Sequence, residues 1–255
     1  MPRTARKQSR TGIYHVMLRG INKQQIFHDE EDCLYFLKLL DRFKKPCGYS
    51  LYAYCLMGNH VHLLLKEGGE VPVGGIFRHI GSSYVYWYNL KYERTGHLFQ
   101  DRFRSEPVED DGYLLTVFRY ILLNPVKAGL CSQAEQYKYS SAGEYLNGKK
   151  GITDTAFIRE TLGSWNIREL LSQPDDDDQC MEMKEKTART RVTDETAEAM
   201  IRKDLGGLHV KAGKAKERQA LNAGIGRLIR AGISIRQLSR LTGISKKIIE
   251  NALNQ

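Results

Sequence analysis

The run Met57-Gly58-Asn59-His60-Val61-His62-Leu63-Leu64-Leu65-Lys66 constrains the fold more than any other part of the chain. After Asn59 it is apolar and β-branched enough to predict a buried strand. Strand side chains alternate between faces, so His60 and His62 project together and Val61 projects to the other side. Two neutral imidazoles on one rigid face form a bidentate metal platform. A pair of hydrogen-bonded sheet histidines is the competing reading, and these two residues alone do not choose between them. The aromatic-rich segment from Tyr49 to Met57 predicts a neighbouring strand, and Gly58-Asn59 a tight turn joining the two as an antiparallel pair.

The remaining periodicities supply a frame around this hairpin. Tyr14 to Arg19 predicts a first strand. Asp29 to Phe43 carries apolar residues at helical spacing (Cys33, Phe36, Leu37, Leu40, Phe43) behind an acidic start that suits the helix dipole. A second helix is expected over about Val73–Tyr92, a fourth strand over Phe99–Val108 and a third helix over Asp111–Asn124. The order β-α-β-β-α-β-α predicts an α+β fold, a ferredoxin-like antiparallel sheet (βαββαβ) followed by one more helix. Short helices are expected over 136–172. Pro174 and the run Asp175–Asp178 predict an acidic linker, which divides the chain into domains 1–173 and 192–255 around a linker at 174–191.

The third helix carries the second half of a chemical constellation. Tyr120 and Asn124 are four residues apart and share a helix face. A phenol with a pKa near ~10 is a weak nucleophile until a metal draws the electrophile toward it. The Asn124 carbonyl oxygen would complete a coordination begun by His60 and His62 and leave positions open for phosphate oxygens, as in a Lewis-acid site. A core tyrosine, in a chain with fourteen of them, and a helix-ending Asn-Pro turn are the alternatives. Tyr84, Tyr86 and Tyr88 are rival nucleophiles, but their aromatic-rich helix favours core packing or base stacking. His15, His28, His79 and His209 show no partner pattern and read as structural.

Taken together and in order, these residues resemble the single-tyrosine HUH transposases, in particular the REP-associated tyrosine transposases with their IS200-like domain. His60-Val61-His62 is similar to the family's His-hydrophobic-His motif, and Tyr120 with Asn124 to its Tyr-x-x-x-Asn, inside a Tyr-Ile-x-x-Asn-Pro-Val-x-Ala-Gly block that ends at Gly129. Gly96 to Phe103 resembles the Gly-x-Leu-(Trp/Phe)-x-x-Arg-(Phe/Tyr) segment, and Arg19-Gly20-Ile21-Asn22 the turn after the first strand. The resemblance covers roughly residues 10–145. It departs at Gly58, where many relatives have proline, a change that touches the turn and not the ligands. It implies a single-stranded DNA nicking and joining enzyme. Tyr120 would form a 5′-phosphotyrosine link, and His60, His62 and Asn124 would hold Mg2+ or Mn2+. DNA, single-stranded or in a hairpin, would be the partner, no nucleotide cofactor would be required, and a homodimer stays open. Arg19, His97, Arg102 and Arg104 are the candidate DNA contacts of this part, the last two read as alternating along one strand. The basic arm Arg3, Arg6, Lys7 and Arg10 either enters a groove or is disordered.

Charge separates the two ends of the chain. The net +9 is almost all in residues 181–255, where 16 Lys+Arg face 8 Asp+Glu, against 23 and 22 in residues 1–180. A basic unit beside a near-neutral one points to a polyanion. Ser234 to Ile249 resembles a helix-turn-helix. Gly243 suits the turn, Ile235, Leu238 and Leu241 the inner side, and Ser245 the second cap, with Arg236, Arg240, Lys246 and Lys247 outside as DNA contacts. A small helical bundle for protein contact is the alternative. Five cysteines at irregular spacing, no apolar run near the ~18 residues of a membrane span and no secretory signal predict a cytoplasmic protein of the bacterial cytosol or nucleoid. Two other functions stay in view. One is a non-catalytic DNA-binding regulator that kept the fold. The other is an RNA-binding sheet, which leaves the Tyr120/Asn124 spacing unexplained.

Overall fold

A computed structural model of the protein describes residues 6–173, 180, 194–206 and 215–253. The chain divides into two compact units, Met1–Cys180 and Met181–Gln255.

In the first unit the strands are β1 (Ile13–Arg19), β2 (Ser50–Met57), β3 (His60–Lys66) and β4 (Arg104–Pro107). They form one antiparallel sheet in the order β2-β3-β1-β4. Helices α1 (Glu30–Cys47) and α2 (Val73–Lys91) follow β1 and β3. Helix α3 (Asp111–Lys127) follows β4, and the short helices α4 (Ala142–Leu146), α5 (Thr155–Leu162) and α6 (Ile167–Ser172) come after it. This is the α+β, ferredoxin-like arrangement expected from the sequence.

Alternation decides which side chains meet which helices. Tyr14, Val16 and Leu18 of β1 and Val61, Leu63 and Leu65 of β3 join the core with Phe36, Leu40, Ile76, Ile80 and Tyr84 of α1 and α2. Ile13 and Leu64 join a second core with Val117, Phe118 and Ile121 of α3. The sheet is thus covered on both faces, with α3 on the face that carries His60 and His62. In β2 a bulge between Leu51 and Ala53 shifts the alternation.

Local chemistry sets the helix ends. Asp29 caps α1 in a reciprocal box with Asp32, and Gly48 closes it in the left-handed conformation (φ 67°). Asp110 accepts the Tyr113 amide at the start of α3. Two boundaries differ from expectation. The fourth strand is only Arg104–Pro107; the segment before it meets β1 through one isolated bridge, Gly20 with Phe99. Helix α3 does not stop at Asn124 but carries Pro125 inside it and runs to Lys127, so Asn124 is a helix residue and not a terminal cap.

The expected linker, 174–191, lies outside the described residues apart from Cys180, which is buried in the second core. All five cysteines are free thiols. Among the described residues no helix is long and apolar enough to cross a membrane.

In the second unit, α7 (Asp194–Leu205), α8 (Ala215–Arg230), α9 (Ile235–Thr242) and α10 (Lys246–Leu253) surround a core that includes Ala197, Leu228, Leu238 and Ile249. Ser234 caps α9, and Gly243 (φ 73°) turns the chain between α9 and α10.

Candidate active site

Register sets the composition of the face beneath α3. Met17 lies opposite His62, Arg19 opposite His60, Glu106 opposite His15 and Arg104 opposite Met17. Directly opposed residues share a face, so His15, Arg19, His60, His62, Arg104 and Glu106 all point toward α3. Tyr120, 4% exposed, reaches down from that helix. Its ring meets the His62 ring edge-on, with centroids 5.3 Å apart and planes at 89°, and the His15 ring at 5.9 Å and 67°. The His60 and His62 rings stand 4.9 Å apart and nearly perpendicular (88°). Asn124, 8% exposed, lies one helical turn beyond Tyr120 on the same side of α3.

The hydrogen bonds define what His60 can offer. Asn59 Nδ2 donates to the Lys23 carbonyl (3.2 Å), which orients the amide with Oδ1 toward His60. His60 Nδ1–H therefore donates to Asn59 Oδ1 (2.6 Å), and in the neutral ring Nε2 holds the electron pair. His62 is fully buried, and its Nδ1 lies 3.1 Å from Nε2 of His15. His15, which shows no partner pattern in the sequence, is bonded to one of the candidate ligands. No motif could have announced it, because the pairing depends on strand register. His28 is bonded to Tyr88 (2.7 Å), and His79 is stacked on Phe43. His209 lies outside the described residues.

The end of β1 is built tightly against the histidine strand. Gly20 N donates to Asn59 O, Ile21 N to Leu98 O and Gln100 N to Arg19 O, each at 2.9 Å. A Cβ on Gly20 would sit 2.2 Å from Gln24 O, so only glycine fits there. Asn22 and Lys23 follow at φ 50° and 60°, left-handed backbone that is unusual for residues with side chains. These contacts fix the Leu98–Gln100 segment beside Arg19. His97 and Arg102 are exposed on the loop around it, and Arg104 is half-buried at the start of β4. Arg102 thus precedes the strand and does not alternate with Arg104 along it. Arg6 of the N-terminal arm stacks over the Phe103 ring at 3.8 Å, while Arg3 lies outside the described residues.

The rival tyrosines divide. Tyr84 and Tyr88 are buried in the opposite core, with Tyr84 donating to Ile26 O at 2.6 Å, and burial drives the Tyr84 pKa far above the ordinary phenol value. Tyr86 is 74% exposed. In the second unit Arg236, Arg240, Lys246 and Lys247 are all exposed, but Arg240 is committed to Asp194 at 2.7 Å.

Among the described residues no three His, Cys, Asp or Glu side chains are grouped to hold a metal. The candidate donor set is two imidazoles and one amide. Its neutral, incomplete character suits a cation that takes its remaining ligands, and its charge balance, from substrate phosphate.

Residues 8–124 match the family described as Transposase IS200 like. No curated protein matches the chain. The solved structure of a REP-associated tyrosine transposase bound to a REP hairpin is similar in fold. It is 16% identical, with a TM-score of 0.50 over 62% of this chain and 93% of that one. Residues 8–124 are thus the part of the chain that is similar to the IS200-like transposase family.

Proposed function

We propose that the protein nicks and rejoins single-stranded DNA, acting on hairpin-bearing repeats through a 5′-phosphotyrosine intermediate. The observation that carries this reading is the seating of Tyr120 edge-on against His62, on the sheet face that also carries His60. A divalent ion, Mg2+ or Mn2+, held by His60, His62 and Asn124 would polarise the scissile phosphate. The Tyr120 oxygen attacks phosphorus, loses its proton and forms the new O–P bond. The 3′-oxygen leaves with the electron pair of the broken bond and takes up a proton. The reverse step rejoins strands, and because the linkage conserves the phosphodiester bond energy, no nucleotide is consumed. Arg19, Arg104, His97 and Arg102 line the route for the backbone, where cationic and polar groups position a strand without reading its sequence. The hairpin held by the structural neighbour supports DNA as the partner.

The second unit, about 192–255, is proposed as a helix-turn-helix that adds duplex affinity through Arg236, Lys246 and Lys247, joined to the catalytic part by the acidic stretch at 174–191. Arg240 contributes less, because its guanidinium is held by Asp194.

The test is a denaturing gel of the protein with labelled hairpin oligonucleotides, with and without Mn2+. A metal-dependent covalent adduct is expected. Tyr120→Phe removes it completely while hairpin binding persists in a native gel. An undiminished adduct in that variant would exclude Tyr120 as the nucleophile. Hairpin binding with no adduct in the wild type would identify a non-catalytic regulator.

A further inference from the structure

We infer that His15 is a positioning residue for the metal site: its Nε2 accepts the Nδ1–H of His62, which turns the Nε2 electron pair of His62 toward the cation. The inference rests on the metal reading proposed above and adds to it a residue outside the ligand set.

His15 and His62 are both fully buried, with ring centroids 5.3 Å apart and planes inclined by 32°. Their facing nitrogens lie 3.1 Å apart, which is hydrogen-bond distance and requires one proton between them. If His15 donated, His62 would carry its own proton on Nε2 and have no electron pair for a cation. If both rings were charged, two like charges would face each other in the protein interior at a large desolvation cost. Only donation from His62 Nδ1 to His15 Nε2 leaves His62 competent as a ligand.

The same logic holds one residue pair away. His60 donates from Nδ1 to Asn59 Oδ1, so each proposed ligand has its own acceptor holding the ring in one tautomer. The two acceptors differ in origin. Asn59 comes from the β2–β3 turn, whereas His15 comes from the middle of β1, across the sheet. His15 also lies edge-on to the Tyr120 ring at 5.9 Å, so one side chain borders both the ligand and the nucleophile. A merely space-filling histidine would explain the burial but not the directed nitrogen–nitrogen contact.

Two measurements on the full-length protein test this. Long-range proton–nitrogen NMR of the metal-free wild type at about pH 8, above the ordinary imidazole pKa of ~6.5, reads the tautomers directly. His62 is expected with its proton on Nδ1; a proton on Nε2 overturns the inference. Mn2+ titration followed by electron paramagnetic resonance is then compared for wild type, His62→Ala, His15→Leu and His15→Gln. His15→Leu should weaken Mn2+ binding by about 10–100-fold. His15→Gln, whose amide oxygen replaces Nε2 as acceptor, should restore most of the affinity. Metal-free hairpin binding should be unchanged in both His15 variants. Equal loss in the Leu and Gln variants would assign the effect to shape and overturn the inference. Wild-type affinity in His15→Leu alongside a loss in His62→Ala would overturn it and leave the proposed function standing. A wild type that binds Mn2+ no better than His62→Ala would overturn both. Should His15→Leu fail to fold, the wild-type tautomer and the His15→Gln titration still decide the question.

Discussion

The two faces of the sheet are made by the same strands and are covered to similar depth, yet they are chemically opposed. Toward α1 and α2, β1 and β3 present Tyr14, Val16, Leu18, Val61, Leu63 and Leu65, packed against Phe36, Leu40, Ile80 and Tyr84. Toward α3, the same strands present His15, Arg19, His60 and His62 among the apolar Ile13, Met17 and Leu64. A buried imidazole gives less favourable transfer energy than a leucine of similar size and needs a partner for its ring protons. A sheet built only for stability would repeat the first face on the second. The fold therefore buries apolar side chains on both sides of the sheet and adds the buried imidazoles of His15 and His62 on the α3 side.

Truncation on the apolar side should give the largest loss of stability. Leu63, fully buried between His62 and Leu64, should cost about 2–5 kcal/mol when replaced by alanine, through lost burial and the cavity left behind. Urea denaturation should show this as a lower midpoint with an unchanged slope. A loss below about 1 kcal/mol would mean that burial on the α1/α2 face contributes little to stability at this position.

The polar side should respond differently. His62→Leu removes a polar group but strands the His15 nitrogen that faces it at 3.1 Å, at a cost of roughly 1–3 kcal/mol. Adding His15→Leu removes the stranded partner as well, so the double variant should recover much of that loss although it has lost two native side chains. Simple addition of the two single-variant losses in a double-mutant cycle would refute the coupling.

This asymmetry also explains what the sequence revealed. The apolar, β-branched run after Asn59 and the 3.6-residue period of α1 and α2 are local signals, and they suffice for the element order and the α+β class. His60, His62, Tyr120 and Asn124 were legible because each pair has a short-range spacing, i to i+2 on a strand or i to i+4 on a helix. His15 was not legible, since its meeting with His62 depends on the β1–β3 register, 47 residues apart along the chain. Strand β4 was overextended for a related reason. Phe99 meets the end of β1 through an isolated bridge to Gly20, and the continuous ladder with β1 begins only at Arg104. Asn-Pro reads locally as a helix stop, whereas α3 continues to Lys127 with Pro125 buried inside it.

The smallest effect sharpens the contrast at its rim. At the edge of the apolar side Lys91 of α2 meets Asp29, Glu31 and Asp32 at the start of α1 at 2.8, 2.8 and 2.9 Å. Burial alone would lower the Lys91 pKa, but its hydrogen bonds to these carboxylates outweigh that and raise it. The hydrogen bond from Lys91, aided by the Asp32 amide, lowers the Asp29 pKa. A depressed carboxylate stabilises the fold above its unfolded pKa of ~3.9 and loses that contribution as pH falls through the folded value. A raised amine stabilises below ~10.4 and loses its contribution only at higher pH. Lys91→Met should therefore cost little, below about 1 kcal/mol because much of the network faces solvent, and the cost should be level between about pH 5 and 10. Below about pH 4 the melting temperatures of variant and wild type should converge. A difference that persisted undiminished at pH 2 would show that the aliphatic stem of Lys91, and not its charge, fastens α2 to α1.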